Sequence, residues 1–507
     1  MQLNSLLKGI IHDDFIGNPD LEIAGLAQDS RRVKPGDLFV AVKGHAADGH
    51  DFIEDAVKNG AAALIVESSS DLKRVDGKIP VIRVTDSRDA LSKLAVTYYD
   101  SPFNRMNLIG ITGTNGKTTT SYLLESILLR AGARPGVIGT INYHYSDKTQ
   151  KAPVTTPGPL ELMSILRDMA DAGVTDVIME VSSHALDQQR TKGCPFRVAV
   201  FTNISRDHLD YHASMEEYFK AKSLLFRDLE KNGPDKTARA VINLDDPGGE
   251  DLRRITDAGI ITYGLKKGCD VHVRQLDFNR KGLTARLITP VGETDISSSL
   301  IGDFNIYNIM AASAAALSMD IDLIDIVRGI ADLKGVPGRL ELIKNDRSLT
   351  IICDYAHTPD ALLKAIRAVK SLARGRVITV FGCGGDRDKG KRPKMGRIAG
   401  EESDLIIITS DNPRTENPAA IAQMIEDGIL ISGQQKLQGL FDKSSVDSGY
   451  LIELDRENAI RRAVDIADES DLILIAGKGH EDYQITGKKK RDFDDRRIAA
   501  EAASRGN

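Results

Sequence analysis

A strand-length apolar run, a glycine loop and an amphipathic helix follow one another at Met106–Leu128, and that order constrains the fold more than anything else in the chain. Met106–Thr112 reads M-N-L-I-G-I-T, enough for one buried strand. Gly113-Thr-Asn-Gly-Lys-Thr-Thr119 comes next, and Leu123, Leu124, Ile127 and Leu128 then share one helical face. Strand, glycine turn and helix in that order open a βα unit, in which a helix packs on the face of a parallel sheet. The turn also aims unpaired backbone N–H groups and the positive end of the helix dipole at one point, where a phosphate binds. Lys117 is then placed to reach terminal phosphates, and Thr118 to offer a hydroxyl to Mg²⁺. ATP chemistry is therefore expected at Gly113, Thr114, Asn115, Gly116, Lys117, Thr118 and Thr119. The spacing departs from the usual G-x-x-x-x-G-K, because position 111 is Ile and the glycines stand at 110 and 113.

At 507 residues the chain exceeds one ordinary core, so two to four domains are expected. Hydrophobic content of 41% and charged content of 28% fit a globular protein. The 67 basic and 73 acidic residues leave a net charge of −6, which gives no footing for nucleic acid or an anionic membrane. No apolar run spans a bilayer, and the N-terminus lacks a signal-peptide layout. Cys194, Cys269, Cys353 and Cys383 have no paired spacing and read as reduced thiols of a cytoplasmic protein, with neither disulfides nor a zinc site.

Alternation of strand and helix patterns divides the chain into three expected α/β domains. Residues 1–105 form a small unit with strands at Asp37–Val42, Ala61–Val66 and Val81–Val84 and a helix at Ile53–Asn59, ending in the polar linker Tyr99–Asn104. Residues 106–336 carry strands at Asp176–Val181, Arg197–Asn203, Ala240–Asn243 and Gly259–Tyr263, implying a mostly parallel sheet behind the phosphate loop. Val271–Leu300 alternates like antiparallel strands and is expected as an addition to that sheet's edge. After Gly335-Val-Pro-Gly338 the alternation restarts, with strands at Thr350–Asp354, Arg376–Phe381, Asp404–Thr409 and Asp471–Ala476. This predicts a doubly wound, Rossmann-like domain over 337–507. Ligands are expected at the carboxyl ends of the strands in both sheets.

The loop with its Thr-Asn-Gly centre, and five later stretches in order, resemble the Mur ligase family, which builds the peptide stem of bacterial peptidoglycan. Those stretches are Met179–Leu186 (M-E-V-S-S-H-A-L), Phe201–His212 (F-T-N-I-S-R-D-H-L-D-Y-H), Phe304–Asn308 (F-N-I-Y-N), Pro337–Glu341 (P-G-R-L-E) and Asp354–Pro359 (D-Y-A-H-T-P). Gly382–Asp388 (G-C-G-G-D-R-D) and Asp411-Asn-Pro-Arg414 are similar to the members that add the third residue, meso-2,6-diaminopimelate, to UDP-N-acetylmuramoyl-L-alanyl-D-glutamate.

The resemblance implies a uridine-nucleotide domain, a central ATP domain and an amino-acid-binding ligase domain. It further implies an ATP-dependent ligation through an acyl phosphate in the bacterial cytoplasm, by a monomer whose partners are small molecules. Lys117, Glu180, His208 and Lys222 match the family's catalytic positions. Thr118, Glu180 and His208 match its Mg²⁺ ligands or their surroundings. Lys222 matches the lysine that CO₂ converts to a carbamate (N6-carboxylysine), an anionic Mg²⁺ ligand in the family, although in Met215–Phe226 it reads as an exposed or snorkelling helix lysine. Taken singly, Glu180 reads as a solvated strand-end charge and His208 as a loop histidine.

Asn305 and Asn308 match positions near adenine, although an asparagine at a helix start reads simply as a cap. Arg339, Asp354 and His357 match positions where the last domain closes over the nucleotide. Gln28, Ser30, His45, Ala46 and Ala47 match the uridine-nucleotide contacts, with Ala46 standing where some relatives carry glutamine. Thr155, Thr156, Ser182, Gln188 and Arg190 match the contacts to the muramoyl-dipeptide end. Arg387, Asp411, Asn412, Pro413, Arg414, Gly477 and Glu481 match the diaminopimelate contacts. Arg414 has a physical reason, since diaminopimelate is lysine with a further carboxylate, which a guanidinium rewards. Glu481 suits the distal ammonium. Without the resemblance, Asp29-Ser-Arg31 and Asp411–Arg414 read as turns. The rivals are a ligase that adds lysine, D-alanyl-D-alanine or glutamate, and, more remotely, a nucleotide switch or motor. The absence of an Asn-Lys-x-Asp stretch weakens the switch.

Overall fold

The computed structural model describes residues 1–44, 47–69, 79–227, 229–233, 237–279, 282–437 and 448–504. Three sheets with strands mostly parallel follow one another along the chain. The first has five strands in the order Asp14–Ile16, Val81–Val84, Ala63–Glu67, Asp37–Val40 and Gly25–Ala27, parallel except for Asp14–Ile16. Leu38, Val40, Ile65 and Ile82 pack there with Leu91 and Leu94 of helix Ser87–Tyr98. Sequence patterning passed over Asp14–Ile16 and Gly25–Ala27, three-residue strands too short to alternate.

The central sheet has eight strands, in the order Gly259–Tyr263, Arg239–Asn243, Phe196–Phe201, Asn107–Thr112, Asp176–Glu180, Pro135–Ile138, Asn142–Tyr145 and Lys148–Lys151. The first six run parallel, and the last two fold back as antiparallel strands. Asn107–Thr112 is an interior strand, paired with Asp176–Glu180 on one side and Phe196–Phe201 on the other. The phosphate loop, Glu180 and Thr202-Asn203 thus emerge side by side from one end of the sheet. Helices Lys117–Arg130 and Asn305–Leu317 cover one face and Pro159–Asp171 and Met215–Arg227 the other, with separate apolar clusters on each side.

Residues 271–300 do not extend this sheet's edge as expected. His272–Asn279, Gly282–Thr289 and Gly292–Ser298 make their own three-stranded antiparallel sheet, tied to the central one by a Tyr263–Val271 bridge and bonds between Thr262 and Asp270. The alternation supplies one apolar face (Leu283, Ala285, Leu287, Ile296), and that face covers the helix layer instead of prolonging a ladder.

The third sheet has six strands in the order Glu341–Leu342, Thr350–Asp354, Leu472–Ala476, Val377–Phe381, Leu405–Ile408 and Gly449–Ile452. All but the first are parallel, and the inner strands read as near-continuous apolar runs because helices cover both faces. A hairpin of Tyr483–Thr486 and Lys489–Asp492 follows, unforeseen because K-K-R-D has no apolar alternation. Among the described residues no helix is long and apolar enough to cross a membrane.

Candidate active site

The strand ends of the central and third sheets face one cleft of about 1020 Å³. Gly113 and Gly116 adopt φ of +147° and +89°, which side-chain-bearing residues avoid. A Cβ on Gly113 would collide with the Thr202 hydroxyl, and one on Gly116 with the Asn308 amide. The loop is pinned from the neighbouring strand end. Asn115 N donates to Asn203 Oδ1 (2.9 Å), Thr114 N donates to Asn203 O (2.9 Å), and Thr202 Oγ1 donates to Asn115 O (2.6 Å). Thr202 and Asn203 lie inside a stretch quoted for the resemblance but were not picked as site residues. Ile111 explains the deviant spacing. It is a fully buried strand residue paired with Glu180 and Val200, so the turn begins only at Gly113. Lys117 opens helix Lys117–Arg130 and folds back, donating from Nζ to Gly113 O (2.7 Å) and Thr114 O (3.0 Å).

Glu180, at the end of its strand, is 1% exposed and not the solvated charge its position alone suggests. Thr118 Oγ1 donates to its Oε2 (3.1 Å), Thr140 Oγ1 to the same oxygen (2.8 Å), and Thr140 N to Oε1 (3.0 Å). Thr140 is a residue that sequence reasoning missed, since an isolated threonine after a glycine carries no pattern. Lys222 overturns the reading of an exposed or snorkelling lysine, because its residue is 1% exposed. Helix Met215–Arg227 turns Tyr218, Ala221, Lys222 and Leu225 inward, and the ammonium sits 4.5 Å from the centre of the Tyr218 ring. Lys222 Nζ donates to Gly113 O (3.0 Å), which puts it directly under the phosphate loop. Burial, and then the nearby Lys117 charge, push the Lys222 amine well below its ordinary pKa. His208 has a left-handed backbone (φ 55°), with its ring 4.8 Å from that of His184 and Nε2 3.4 Å from Asp207. Desolvation in the cleft wall drives its imidazole pKa down against the pull of Asp207, leaving the ring neutral.

Thr156 Oγ1 donates to Glu180 O (2.8 Å) and accepts from Ser182 N (3.0 Å), and Thr155 Oγ1 lies 3.1 Å from Thr140 Oγ1. Arg190 donates to Thr156 O (2.8 Å) and, through Nε and Nη2, to Gln188 Oε1 (3.0 and 2.7 Å). These five residues line the cleft together. Of the first-domain positions, Gln28 lies beside the central unit, its Nε2 3.5 Å from where a Cβ on Gly158 would sit. Ser30 is buried at the start of the short helix Ser30–Arg32, which Asp29 caps, and its carbonyl accepts from Asn59 (2.9 Å). Gln28, Ser30 and Ala47 are not among the cleft-lining residues. His45 and Ala46 lie outside the described residues.

Asn305 is not a helix cap. The cap of Asn305–Leu317 is Phe304, while Asn305 Nδ2 donates to Ile301 O (2.6 Å) and Asn308 Nδ2 to Asn305 Oδ1 (2.8 Å). Arg339 donates to Thr118 Oγ1 (3.0 Å), its guanidinium 4.6 Å from the centre of the Tyr355 ring. Asp354 accepts from Leu340 N (2.7 Å) and Ala356 N (2.8 Å), and burial raises its pKa. His357 Nδ1 pairs with Tyr355 O (2.8 Å), and its carbonyl accepts from Lys391 (2.8 Å). Asp360, one residue past a quoted stretch and therefore missed, accepts from Asn115 Nδ2 (2.9 Å) and docks helix Pro359–Lys370 onto the phosphate loop.

Asp411–Arg414 is more than a surface turn, since Asp411 is 7% and Asn412 2% exposed. Asn412 Nδ2 donates to Glu481 Oε2 (2.9 Å), and the fully buried Lys478 donates to the same oxygen (2.8 Å). Lys478 also escaped the sequence reading, because a lysine between two glycines reads as solvated. Gly477 takes φ +115°, and a Cβ there would meet Asp411 Oδ2 at 2.7 Å. Arg414 donates to Gly385 O (2.8 Å) and Arg387 to Asp386 O (2.8 Å). Arg387, Asp411, Asn412, Arg414, Gly477 and Glu481 all line the cleft that holds the phosphate loop, whereas Pro413 does not.

Comparisons with known proteins agree along the chain. The Mur ligase family catalytic domain matches residues 22–99, the Mur ligase middle domain 111–316 and the Mur ligase glutamate ligase domain 338–479. UDP-N-acetylmuramoyl-L-alanyl-D-glutamate--2,6-diaminopimelate ligase of Geobacter sulfurreducens is 46% identical over 504 residues, covering 99% of this chain and 98% of the relative. The ligase of that name from Geobacillus kaustophilus is 45% identical over 488 residues, covering 96% and 95%. A solved structure of a ligase with this name superposes with a TM-score of 0.68 at 32% identity, covering 99% and 98% of the two chains. MurF of Thermotoga maritima, solved with ADP, shares the fold at a TM-score of 0.59 and 23% identity, covering 90% and 94%. With every part matched in order and relatives aligned almost end to end, the chain belongs to the Mur ligase family.

Proposed function

We propose that this ligase joins meso-2,6-diaminopimelate to the D-glutamate γ-carboxylate of UDP-N-acetylmuramoyl-L-alanyl-D-glutamate, converting ATP to ADP and phosphate. The observation that carries the reading is the meeting, in one cleft, of the phosphate loop with Arg387, Arg414 and Glu481. That pairs a phosphoryl site with a pocket for a zwitterion bearing an extra carboxylate. The names of the relatives support it.

A carboxylate is a poor electrophile, so its oxygen first takes the γ-phosphoryl of ATP, and ADP departs. The amine then attacks the acyl carbon and loses a proton, and phosphate leaves. Gly113–Thr119, with the Lys117 ammonium, hold the phosphates, which suits a step governed by positioning and charge neutralisation. Thr155, Thr156, Ser182, Gln188 and Arg190 hold the dipeptide end, and Gln28, Ser30 and the 45–47 stretch the uridine nucleotide. Asn305, Asn308, Arg339, Asp354 and His357 serve the nucleotide, closing the third unit over it and excluding water from the acyl phosphate. Arg387, Asp411–Arg414, Gly477 and Glu481 present the amine.

The donors present fit Mg²⁺. Thr118 and Glu180 are hard oxygen donors within 3.1 Å of each other, and no cluster of three or more His, Cys, Asp or Glu able to hold a metal occurs among the described residues. A sparse protein set is usual for Mg²⁺, which shares its sphere with phosphates and water. When bound, the ion neutralises charge on the phosphates. Neutral His208 could add to the set, whereas the Lys222 ammonium repels a cation. Lys222 therefore fits only as the carbamate, and the lowering of its pKa by burial favours the uncharged amine that would attack CO₂.

Phosphate release with the nucleotide-dipeptide and meso-diaminopimelate, against L-lysine in its place, tests the reading. Release is expected with diaminopimelate and far less with lysine. Absence of release with either amine would refute it.

A further inference from the structure

The two arginines assigned to the amino acid stand on separate loops, and each adjoins a strained backbone. Arg387 follows the strand Val377–Phe381, and Arg414 follows its parallel neighbour Leu405–Ile408. Asp386 and Arg414 itself adopt φ of +54° and +49°, a region that side-chain-bearing residues occupy only when their surroundings impose it.

The Arg414 backbone is tied to the hairpin, its N donating to Ile485 O (3.2 Å) and its O accepting from Gly487 N (2.7 Å). A second set of bonds, behind the cleft wall, joins the two loops to each other. Arg392, in the first turn of helix Lys391–Glu402, is 1% exposed. From the helix that follows the first loop it reaches Glu416 on the second, with Nη1 to Oε2 at 2.9 Å and Nη2 to Oε1 at 2.8 Å, and Nη2 also donates to Gly384 O at 3.2 Å. Glu416 Oε1 accepts from Asp386 N (2.6 Å). Asp386 in turn accepts from Thr415 N (3.2 Å) and Thr415 Oγ1 (2.7 Å). Gly385 N donates to Asn412 O (2.9 Å), next to the Arg414 bond to Gly385 O. Neither Arg392 nor Glu416 lines the cleft. A fork-to-fork pair of this kind fixes direction as well as distance, which a single bond or a lysine does not.

We propose that the Arg392–Glu416 pair, with Asp386 and Thr415, is a clamp that sets the spacing of Arg387 and Arg414 and thereby the selection of an amino acid with a distal carboxylate. These are positioning residues, acting through the two arginines, and the inference rests on the reading of that pocket given above. A guanidinium that must meet one carboxylate tolerates little drift in the loop that carries it, so loosening the clamp weakens diaminopimelate and leaves lysine, which lacks that carboxylate, nearly untouched.

The test measures kcat and KM for meso-diaminopimelate and for L-lysine, with KM for ATP as a control, in the full chain. Glu416→Ala is expected to raise the diaminopimelate KM about tenfold with kcat within about twofold, and to lower selectivity over lysine about tenfold. Glu416→Gln, which keeps one acceptor oxygen for Asp386 N and Arg392 Nη2 but sets an NH₂ donor against Nη1, is expected to recover part of that selectivity. Should Glu416→Ala not fold, Thr415→Val removes one exposed bond of the clamp and should shift selectivity the same way by about threefold. Folded variants whose selectivity equals the parent's, whatever happens to thermal stability, overturn the clamp. A parent that does not prefer diaminopimelate overturns the reading of the pocket instead.

Discussion

On the central-sheet side of the cleft, a glycine loop, Gly113–Thr119, takes its shape from the residues around it (Thr202, Asn203, Asn308). On the third-sheet side the groups proposed to meet the amino acid are side chains, and other side chains hold them. Lys478 and Asn412 hold Glu481, and Arg392 and Glu416 hold the loops of Arg387 and Arg414. The chemistry of the two ligands explains the contrast. Every ATP presents the same phosphates, which a glycine loop with its lysine receives without choosing the amine. An amino acid must be told from its analogues, and only charged groups fixed in place reward one carboxylate and penalise its absence.

Arg414→Ala should break the third-sheet side most severely. A truncated charge contact costs about 2–5 kcal/mol, so kcat/KM for diaminopimelate should fall by that amount, with lysine hardly affected. Assay of both amino acids checks this, and a variant that still rejects lysine as strongly as the parent would falsify the assignment. Gly113→Ala should break the other side. Its Cβ would strike Thr202 and its φ of +147° is closed to alanine, so displacement of the loop should slow phosphate release about 100-fold. Because that side does not choose the amine, the loss should be equal for diaminopimelate and lysine. A changed ratio between them would dissolve the division between the two sides.

The same contrast governs how much could be seen in the sequence. Glycine loops and buried parallel strands leave local signatures, so Asn107–Thr112, Val377–Phe381 and Leu472–Ala476 were legible to within a residue or two. Residues whose meaning depends on a distant partner left none. Lys222 looks like a surface lysine until helix Met215–Arg227 turns it beneath Gly113, 109 positions away in the chain. Arg392 looks like one of several charges in K-G-K-R-P-K until it meets Glu416. Resemblance to the family pointed to Lys222, because the family's motif extends to it. Nothing local found Thr140, Asp360 or Lys478, whose roles consist of bonds to Glu180, Asn115 and Glu481.

The smallest expected effect concerns pH and separates a clamp held by charge from one held by shape. The bond from Arg392 lowers the Glu416 carboxyl from its ordinary 4.5 to about 2, so the folded chain holds the ionised form where the unfolded chain has begun to take up a proton. A depressed carboxyl contributes its stability in full above the unfolded value and loses it as pH falls toward the folded one. Between the parent and Glu416→Gln, the difference in urea unfolding should therefore be constant from pH 6 to 8, at about 1 kcal/mol for a pair with one partner partly exposed. It should shrink as pH falls from about 4.5 toward 2. Selectivity for diaminopimelate should be flat across pH 6–8 as far as this pair is concerned, since Glu416 stays ionised throughout. An unfolding difference that survives undiminished at pH 3 would mean that Glu416 holds the loops by its shape and hydrogen bonds alone, and the amino-acid side would then differ from the phosphate side in its residues but not in its means.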